Sequence, residues 1–400
     1  MGLGNKMIEH QIKDEAQQLV KTFARTKGQP FDPSLPLINS VSNVICAFSF
    51  GHQFVHEDKT FLKLIEDIRT VVRISGGVFH LIYESIPWLM KYLPGPHQKA
   101  LDSAKSILSF ARQEIERHKQ YQSLHEPQDF TDFYLLQMEK RKDDPNSACS
   151  EENLACCLLE LFVAGVETTY VSLMWAVLLL ANHPDIQEKV LKEIEDVFGS
   201  SGSISYEDRH KLPYTNAVIH ETQRAKYVLF ITIPRQSIRD VTMRDFHIPK
   251  GSIIMADLRS VLLDPEEWET PEEFNPNHFL NKDGKFQAPE AFMPFGAAIS
   301  PAEVRSCFHF LSVSERQHRQ DGGGKKPSCW KGLRCTACPT LLGEDIEGPD
   351  LPLASEAPEG GHLVSYCLRS NKRVVFMTLV LLPLWLFARN AGSGPATWIS

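Results

Sequence analysis

Hydrophobic residues recur at helical spacing along most of the first 225 residues. Ile12, Ala16, Leu19 and Phe23 lie three or four positions apart, which predicts an amphipathic helix over 9–23. The same periodicity predicts further helices over 37–50, 61–74, 97–122, 130–139, 186–198 and 212–225. The stretch 154–180 is instead apolar nearly all round, which is typical of a helix buried in a core.

The pattern changes after residue 225. Short β-rich segments at 227–234, 241–248 and 252–257 predict a few strands, with a turn at Gly251. The segment 264–279 is acidic and broken by prolines, which predicts a meander without regular structure. The first 296 residues are therefore predicted to be mainly α-helical with a small β-sheet.

Polar residues interrupt the middle of the apolar stretch 154–180. Gly165 loosens a helix by about 1 kcal/mol relative to alanine, and Thr168 is placed to bond the carbonyl of Ala164. Glu167 is costly to bury unless it is paired, hydrogen-bonded or protonated. Two interpretations follow from these residues alone: a reaction site, or a packing glycine beside a satisfied threonine and a solvated glutamate.

Composition narrows the class of protein. The chain has 42% hydrophobic and 23% charged residues, as globular proteins do, and a net charge of −8 argues against a nucleic-acid partner. No apolar run begins the sequence, so neither a signal peptide nor an N-terminal anchor is predicted. The first 300 residues hold four cysteines without framework spacing, which suits a reducing compartment.

Five short motifs then follow one another in the order of a known family. They are Ala164-Gly165-x-Glu167-Thr168-Thr169, Glu221-x-x-Arg224, Pro234-Arg235, the segment 271–279 and the phrase Phe292-Met293-Pro294-Phe295. Together they resemble the oxygen-activating motif, the E-x-x-R signature, the propionate arginine, the meander and the start of the haem loop of the cytochrome P-450 superfamily. The phrases 212–221 and 92–98 resemble the microsomal family 2 enzymes, above all the J subfamily.

The resemblance implies a role for each motif. Thr168 would hydrogen-bond the activated oxygen and Glu167 would relay protons, while Arg235 would pair with a haem propionate. Glu221 and Arg224 would hold the fold, with His278 in the place of the usual third partner, an arginine. Substrate contacts would fall on Leu161, Phe162, Thr169, Val228 and Ile231.

The resemblance also implies cofactors, partners and a location. Haem would be the cofactor, and NADPH would supply electrons through NADPH-cytochrome P-450 reductase. The substrates would be lipophilic, such as arachidonic acid and other fatty acids or xenobiotics. The location would be the cytosolic face of the endoplasmic reticulum membrane, or the cytoplasm, because no N-terminal anchor is present.

The haem loop departs from the family pattern. Counting from Phe295, Ala298 and Val304 stand where the family has its two glycines. Ser300 replaces the arginine, and Ala302 replaces the cysteine. The thiolate that should bind iron is therefore predicted to be missing. Cys307 lies five positions too late and is a poor substitute as a ligand. We predict poor haem binding and no turnover, and expect a family core that also lacks its anchor and earliest elements.

Residues 297–400 resemble nothing in the family and are predicted to be a largely disordered tail beside the partial domain 1–296. The tail contains a weak zinc-binding pattern of three cysteines, Cys329, Cys335 and Cys338, with His362 or Cys367 as a fourth ligand. The pattern is too weak to predict a metal site. The apolar run 374–387 is too short to span a bilayer but long enough to contact its surface. The abrupt change suggests alternative splicing or intron read-through. A non-enzymatic isoform, acting by partner or membrane binding, and a non-functional splice product are the alternatives.

Overall fold

The computed structural model of the chain describes residues 7–27, 29–75, 79, 82–83, 86–121, 127–144, 147, 149–199, 205–229, 235–243 and 246–294. Its helices are α1 (Met7–Arg25), α2 (Ser34–Phe50), α3 (Lys59–Ser75), α4 (Pro87–Met90), α5 (Pro96–Tyr121), α6 (Phe130–Lys140), α7 (Glu151–Asn182), α8 (Pro184–Phe198), α9 (Pro213–Ala225) and α10 (Leu258–Leu262). Each helix predicted from hydrophobic spacing is present, with ends within a few residues of the prediction.

Local chemistry sets several helix ends. Ser150 caps α7 because its hydroxyl accepts from the backbone N–H of Asn153. Asp129 caps α6 in the same way by accepting from Asp132. At the end of α2, Gly51 takes φ 71°, a left-handed conformation that glycine adopts without steric cost. Ser150 and Asp129 thus fix where α7 and α6 begin, and Gly51 fixes where α2 ends.

The main core lies among α1, α2, α3, α5 and α7. Phe162 of α7 is fully buried and its ring lies 5.7 Å from that of Phe50 in α2. A second apolar cluster joins the end of α7 to α8 and α9, around Val190 and Ile194. A third surrounds Trp268 and Phe279 beneath α9. The fold therefore places α7 at the centre and α9 between the helical core and the meander.

The strands form two small antiparallel pairs. β1 (Arg235–Gln236) pairs with β4 (Ile253–Ile254), so that Arg235 lies opposite Ile254. β2 (Val241–Met243) pairs with β3 (Phe246–Ile248). The prediction of a small amount of β-sheet is thus confirmed. Within the described residues it consists of two separate two-stranded ladders. Of the segment 227–234, only 227–229 are described and they are not in a strand.

Two short helical elements correct the prediction for this region. Helix α10 follows β4 directly because the Asp257 carboxylate accepts from the backbone N–H groups of Arg259 and Ser260. A 3₁₀ helix at Pro276–Phe279 interrupts the meander, which the sequence predicted to have no regular structure. It forms because the Asn275 side chain accepts from the N–H of Asn277, and proline suits the first helical position.

Helix α7 is long and apolar enough to cross a membrane by length and composition. Core packing also accounts for the apolar composition of α7, because its buried side chains pack against α2, α3 and α5. The predictions for Ile231, Ala302, Cys307, the tail cysteines and the run 374–387 fall on residues outside those described.

Candidate active site

The middle of α7 presents its polar residues on one side. Ala164 is exposed, and Glu167 and Thr168 are half-buried, one turn further along the helix. Gly165 and Val166 point to the opposite, buried side. Because residues three and four apart share a helix face, the acid and the alcohol lie on the same side of α7 as the exposed Ala164. The site is a face of the helix, set at the edge of the core.

Thr168 donates a hydrogen bond to the Ala164 carbonyl, with 2.6 Å between Oγ1 and the oxygen. This contact is the one predicted from the sequence. Ser172 repeats the arrangement one turn later, donating to the Thr168 carbonyl at 2.9 Å. Since the Thr168 hydroxyl uses its proton in this way, its oxygen is left to accept from a neighbouring donor.

Glu167 carries a carboxylate oxygen, Oε2, that is buried and has no hydrogen-bond partner in the described part of the chain. Burial raises the pKa of Glu167 above its ordinary value, and the positive charge of Arg69 opposes that rise. A carboxyl group in this environment holds a proton more readily than one in water. The Glu167 carboxyl group, which has a raised pKa, therefore lies next in sequence to Thr168, whose hydroxyl oxygen can accept a hydrogen bond.

Glu221 and Arg224, one turn apart on α9, form a fully buried ion pair. Arg224 Nε and Nη2 donate to the two Glu221 oxygens at 2.7 and 2.8 Å. The same guanidinium also donates to three backbone carbonyls, those of Leu262, Pro271 and Glu273. All the donors that face the meander are thus satisfied, which makes Arg224 the link between α9 and 262–273.

His278 joins this pair from the 3₁₀ helix. Its Nδ1 lies 3.3 Å from each Glu221 oxygen, and its Nε2 accepts from the backbone N–H of Thr270 at 3.3 Å. A backbone N–H can only donate, so Nε2 is the acceptor and Nδ1 carries the proton toward Glu221. The structure thus brings together the three residues that the sequence placed in one network. Thr270 was missed because no spacing rule links it to His278.

Arg235, the predicted propionate partner, begins β1 and is half-buried. No carboxylate pairs with it among the residues for which positions are described. The buried Arg224, by contrast, is paired with Glu221. A partly buried arginine without an acid is suited to bind an anionic ligand.

The five predicted substrate residues lie in different surroundings. Leu161 and Val228 are half-exposed, while Phe162 and Thr169 are buried, at 0% and 5% exposure. Ile231 is outside the described residues. Phe162 packs among core rings, so its position shows a packing role. Substrate contact stays a prediction for all five.

Comparison with known proteins decides the family. A profile described as Cytochrome P450 matches residues 1–298. The chain belongs to the cytochrome P450 family. This P450 chain is 42% identical to human Cytochrome P450 2J2 over 294 residues, which cover 74% of this chain and 58% of that protein. It is 41% identical to rabbit (Oryctolagus cuniculus) Cytochrome P450 2J1 with the same coverage. It is 39% identical to mouse Cytochrome P450 2C39 over 297 residues, 74% of this chain and 61% of that protein.

The similarity is to family 2 of the cytochromes P450, with J members among its relatives. The P450 chain spans about three-fifths of the length of these relatives. The resemblance drawn from the motifs is confirmed at the level of family and fold. A cytochrome P450 fold implies a haem cofactor.

Proposed function

We propose that this chain carries the oxygen-side half of a haem-dependent monooxygenase site and does not turn over on its own. The family reaction would oxidise a lipophilic substrate with O2 and electrons from NADPH, delivered by a cytochrome P450 reductase. The observation that supports the proposal is the contrast between two parts of the chain. The acid–alcohol face of α7 is organised around Glu167 and Thr168, whereas Ala302 stands where the family has its cysteine.

The donor set decides whether haem fits. Arg235 suits a propionate, but the axial position requires a thiolate. Burial raises the pKa of the Cys46 thiol well above its usual range, and that of Cys157 to about 12. Both thiols therefore stay protonated at neutral pH and do not offer a sulfur ligand. Neither of these two thiols fits a thiolate-bound haem, and the position of the family's cysteine holds Ala302.

The remaining chemistry belongs to the chain itself. Burial raises the pKa of the Glu167 carboxyl, so it takes up a proton more readily than a free carboxyl group does, and the Thr168 hydroxyl keeps oxygen lone pairs free because its own proton is donated to the Ala164 carbonyl. We propose that this pair moves a proton along the exposed face of α7. A carboxyl group with a raised pKa next to a hydroxyl is an arrangement suited to proton transfer.

The substrate class follows from the family and from the surface beside the site. Leu161 and Val228 offer half-exposed apolar side chains, and Phe162 and Thr169 support them from the core. We propose a lipophilic ligand, a fatty acid such as arachidonic acid or a xenobiotic. We also propose the cytosolic face of the endoplasmic reticulum membrane as the location, as for microsomal relatives.

Haem content tests the proposal directly. The purified chain and human Cytochrome P450 2J2 would be compared for haem per polypeptide and for the spectrum of the reduced carbon monoxide complex. We expect substoichiometric haem in this chain and no thiolate-type Soret band, because Ala302 has no donor atom. A thiolate-type band would refute the loss of the ligand and would direct attention to Cys307.

A second, non-enzymatic function is supported by one sequence feature. The run 374–387 is apolar and is flanked by Arg369, Lys372, Arg373 and Arg389, a composition that suits the surface of an anionic membrane. The proposal is an isoform that acts by membrane or partner binding. Flotation with phosphatidylserine vesicles would compare the wild-type chain with Leu381→Lys and Leu384→Lys. Binding by all three chains alike would exclude the run as the contact.

The origin of the tail is a related proposal. The family match ends at residue 298, and the segment that follows has none of the family's loop residues. We propose that 297–400 arises by alternative splicing or intron read-through. Sequencing of full transcripts against the gene would place an exon boundary or an unspliced intron at codon 297. A continuous ancestral exon across that codon would contradict the proposal.

A further inference from the structure

A buried cluster of one histidine and two carboxylates lies where α5 meets α6. His118, Asp129 and Asp132 are 6%, 3% and 4% exposed. One nitrogen of the ring and one oxygen of each carboxylate lie within 4.8 Å of one another. The cluster is not part of the acid–alcohol face of α7. The sequence patterns did not single it out, because no helical spacing joins His118 to two residues at the start of the next helix.

The ring of His118 is oriented by the backbone. Its Nδ1 lies 2.7 Å from the carbonyl oxygen of Glu114, which can only accept a hydrogen bond. Nδ1 therefore carries a proton, and in a neutral ring Nε2 presents a lone pair. That lone pair faces Asp129 Oδ2 at 3.1 Å. Two lone pairs at this distance repel each other unless a positive centre, a proton or a metal ion, lies between or beside them.

The carboxylates are also held by the backbone, each through one oxygen. Asp129 Oδ1 accepts from the N–H of Asp132 at 2.9 Å, and Asp132 Oδ2 accepts from the N–H of Gln128 at 3.1 Å. The other oxygen of Asp132, Oδ1, is buried and has no partner among the described residues. Ligands that are fixed by a second hydrogen bond while keeping a free atom are typical of metal sites.

We propose that His118, Asp129 and Asp132 bind one divalent cation of hard or borderline character, for which Mn²⁺ is the probe. With two carboxylates and a neutral imidazole, a divalent ion makes the buried cluster neutral. While both carboxylates are ionised, an imidazolium alone leaves the cluster with one uncompensated negative charge, which is costly in a buried place. The 3.1 Å between Nε2 and Oδ2 also suits two ligands on one ion, since bonds of about 2.1 Å at the right angles of octahedral coordination separate ligand atoms by about 3.0 Å.

The surroundings make this a closed, structural site. The ring of Phe50 lies 6.1 Å from that of His118, and a side chain at Gly51 would come within 2.8 Å of Asp129 Oδ2. The nearby carboxylate of Glu114 is already engaged by His52 and Arg117. The ion would therefore fasten the end of α5 to the start of α6, beside the end of α2.

Binding of Mn²⁺ to the full chain tests the proposal, read from the loss of the free-ion signal in electron paramagnetic resonance. The wild-type chain should bind one Mn²⁺. Asp132→Asn keeps the shape of the side chain but removes its charge, and should weaken binding at least tenfold. Asp102→Asn is the matched control on the exposed side of α5 and should bind as the wild type does. The tail cysteines do not compete, because thiolates prefer softer ions than Mn²⁺.

Circular dichroism establishes that each variant is folded before its binding is compared. If Asp132→Asn does not fold, Asp132→Ser takes its place, since it also removes the carboxylate but keeps a hydroxyl oxygen for the backbone N–H of Gln128. Equal Mn²⁺ binding by the wild type and the folded Asp132 variant would overturn the site. An unaltered free-ion signal with the wild-type chain at neutral pH would also overturn it, and would leave a His118 imidazolium as the positive centre.

Discussion

Glu167 illustrates how one residue can oppose the stability of the helix that carries it. Its Oε2 is buried without a partner in the described chain, and burial raises its pKa. The folded state therefore binds a proton at this position more readily than the unfolded state does. The resulting contribution to stability is present below the unfolded pKa of about 4.3 and is lost as the pH rises through the higher folded pKa.

The first prediction follows from the loss of stability that ionisation of Glu167 causes. Glu167→Gln removes the charge and should stabilise the chain by about 1 kcal/mol at pH 7.5, because a buried carboxylate no longer has to be desolvated. The gain should shrink as the pH is lowered toward 5. Urea unfolding at several pH values measures both effects. A variant that is less stable than the wild type at pH 7.5 would show that Glu167 has a stabilising partner.

The second prediction separates backbone strain from a close contact at a glycine. Gly51 and Gly284 both have φ 71°, so alanine at either position should cost about 1–2 kcal/mol. Only at Gly51 would the new Cβ meet another group, Asp129 Oδ2 at 2.8 Å, whereas nothing lies within 4 Å at Gly284. Gly51→Ala should therefore lose at least about 1 kcal/mol more than Gly284→Ala. Equal losses in thermal unfolding would mean that the Asp129 side chain moves aside freely.

Sequence reasoning succeeds for residues whose partners are local. The bond from Thr168 to Ala164 was predictable because one helical turn always brings those positions together. The contact between His278 and Glu221 spans 57 residues, and only the family resemblance pointed to it. The cluster of His118 and Asp129 was missed because no local rule joins the end of one helix to the cap of the next.

At the scale of elements, Arg224 decides how α9 meets the meander. It links one carboxylate of its own helix to carbonyls at three later positions, Leu262, Pro271 and Glu273. The ring of Trp268 lies 5.1 Å from its guanidinium and covers it. The irregular segment 262–273 is held in one shape because three of its backbone carbonyls accept hydrogen bonds from the buried guanidinium of Arg224.

The third prediction concerns this link. Arg224→Ala should cost about 3–5 kcal/mol, because it leaves the buried Glu221 charge and several carbonyls without their donor. Arg112→Ala is the control: it removes an exposed ion pair with Glu152 and should cost less than about 1 kcal/mol. Urea unfolding gives both values. Similar losses in the two variants would show that the meander keeps its shape without the buried arginine.

Helices were predicted well and strands less well, for a physical reason. A helix of more than ten residues repeats its apolar spacing several times, as α1 and α5 do, and the repeat is visible in the sequence. The strands have two or three residues each, too few to show an alternation. Helix α10 has five residues and was missed for the same reason.

At the scale of the whole molecule, the proposed boundary at 296/297 can be tested by removing the tail. Among the described residues, which end at 294, the last member of a core cluster is Phe292, and the family match ends at residue 298. The fourth prediction is that a chain ending at Gly296 keeps the far-ultraviolet circular dichroism of the core and unfolds within a few degrees of the full chain. This size of change corresponds to about 1 kcal/mol or less.

A large loss of stability in the shorter chain would show that residues after 296 complete the core, and the two-part division would be wrong.

The same pair of chains also tests whether the tail contributes to haem binding. Since the haem-loop positions Ala298, Ser300 and Ala302 lie beyond the cut, equal haem content in both chains would show that they contribute nothing to binding.

The central position of α7 has a consequence for the way the chain is made. Its three main packing partners, α2, α3 and α5, all precede it in the sequence. During synthesis they leave the ribosome first, so the most apolar helix emerges next to surfaces that are ready to cover it. A circularly permuted chain that begins at Glu151 would reverse this order and expose α7 while it waits for its partners. Such a chain should aggregate during translation although its final contacts are the same.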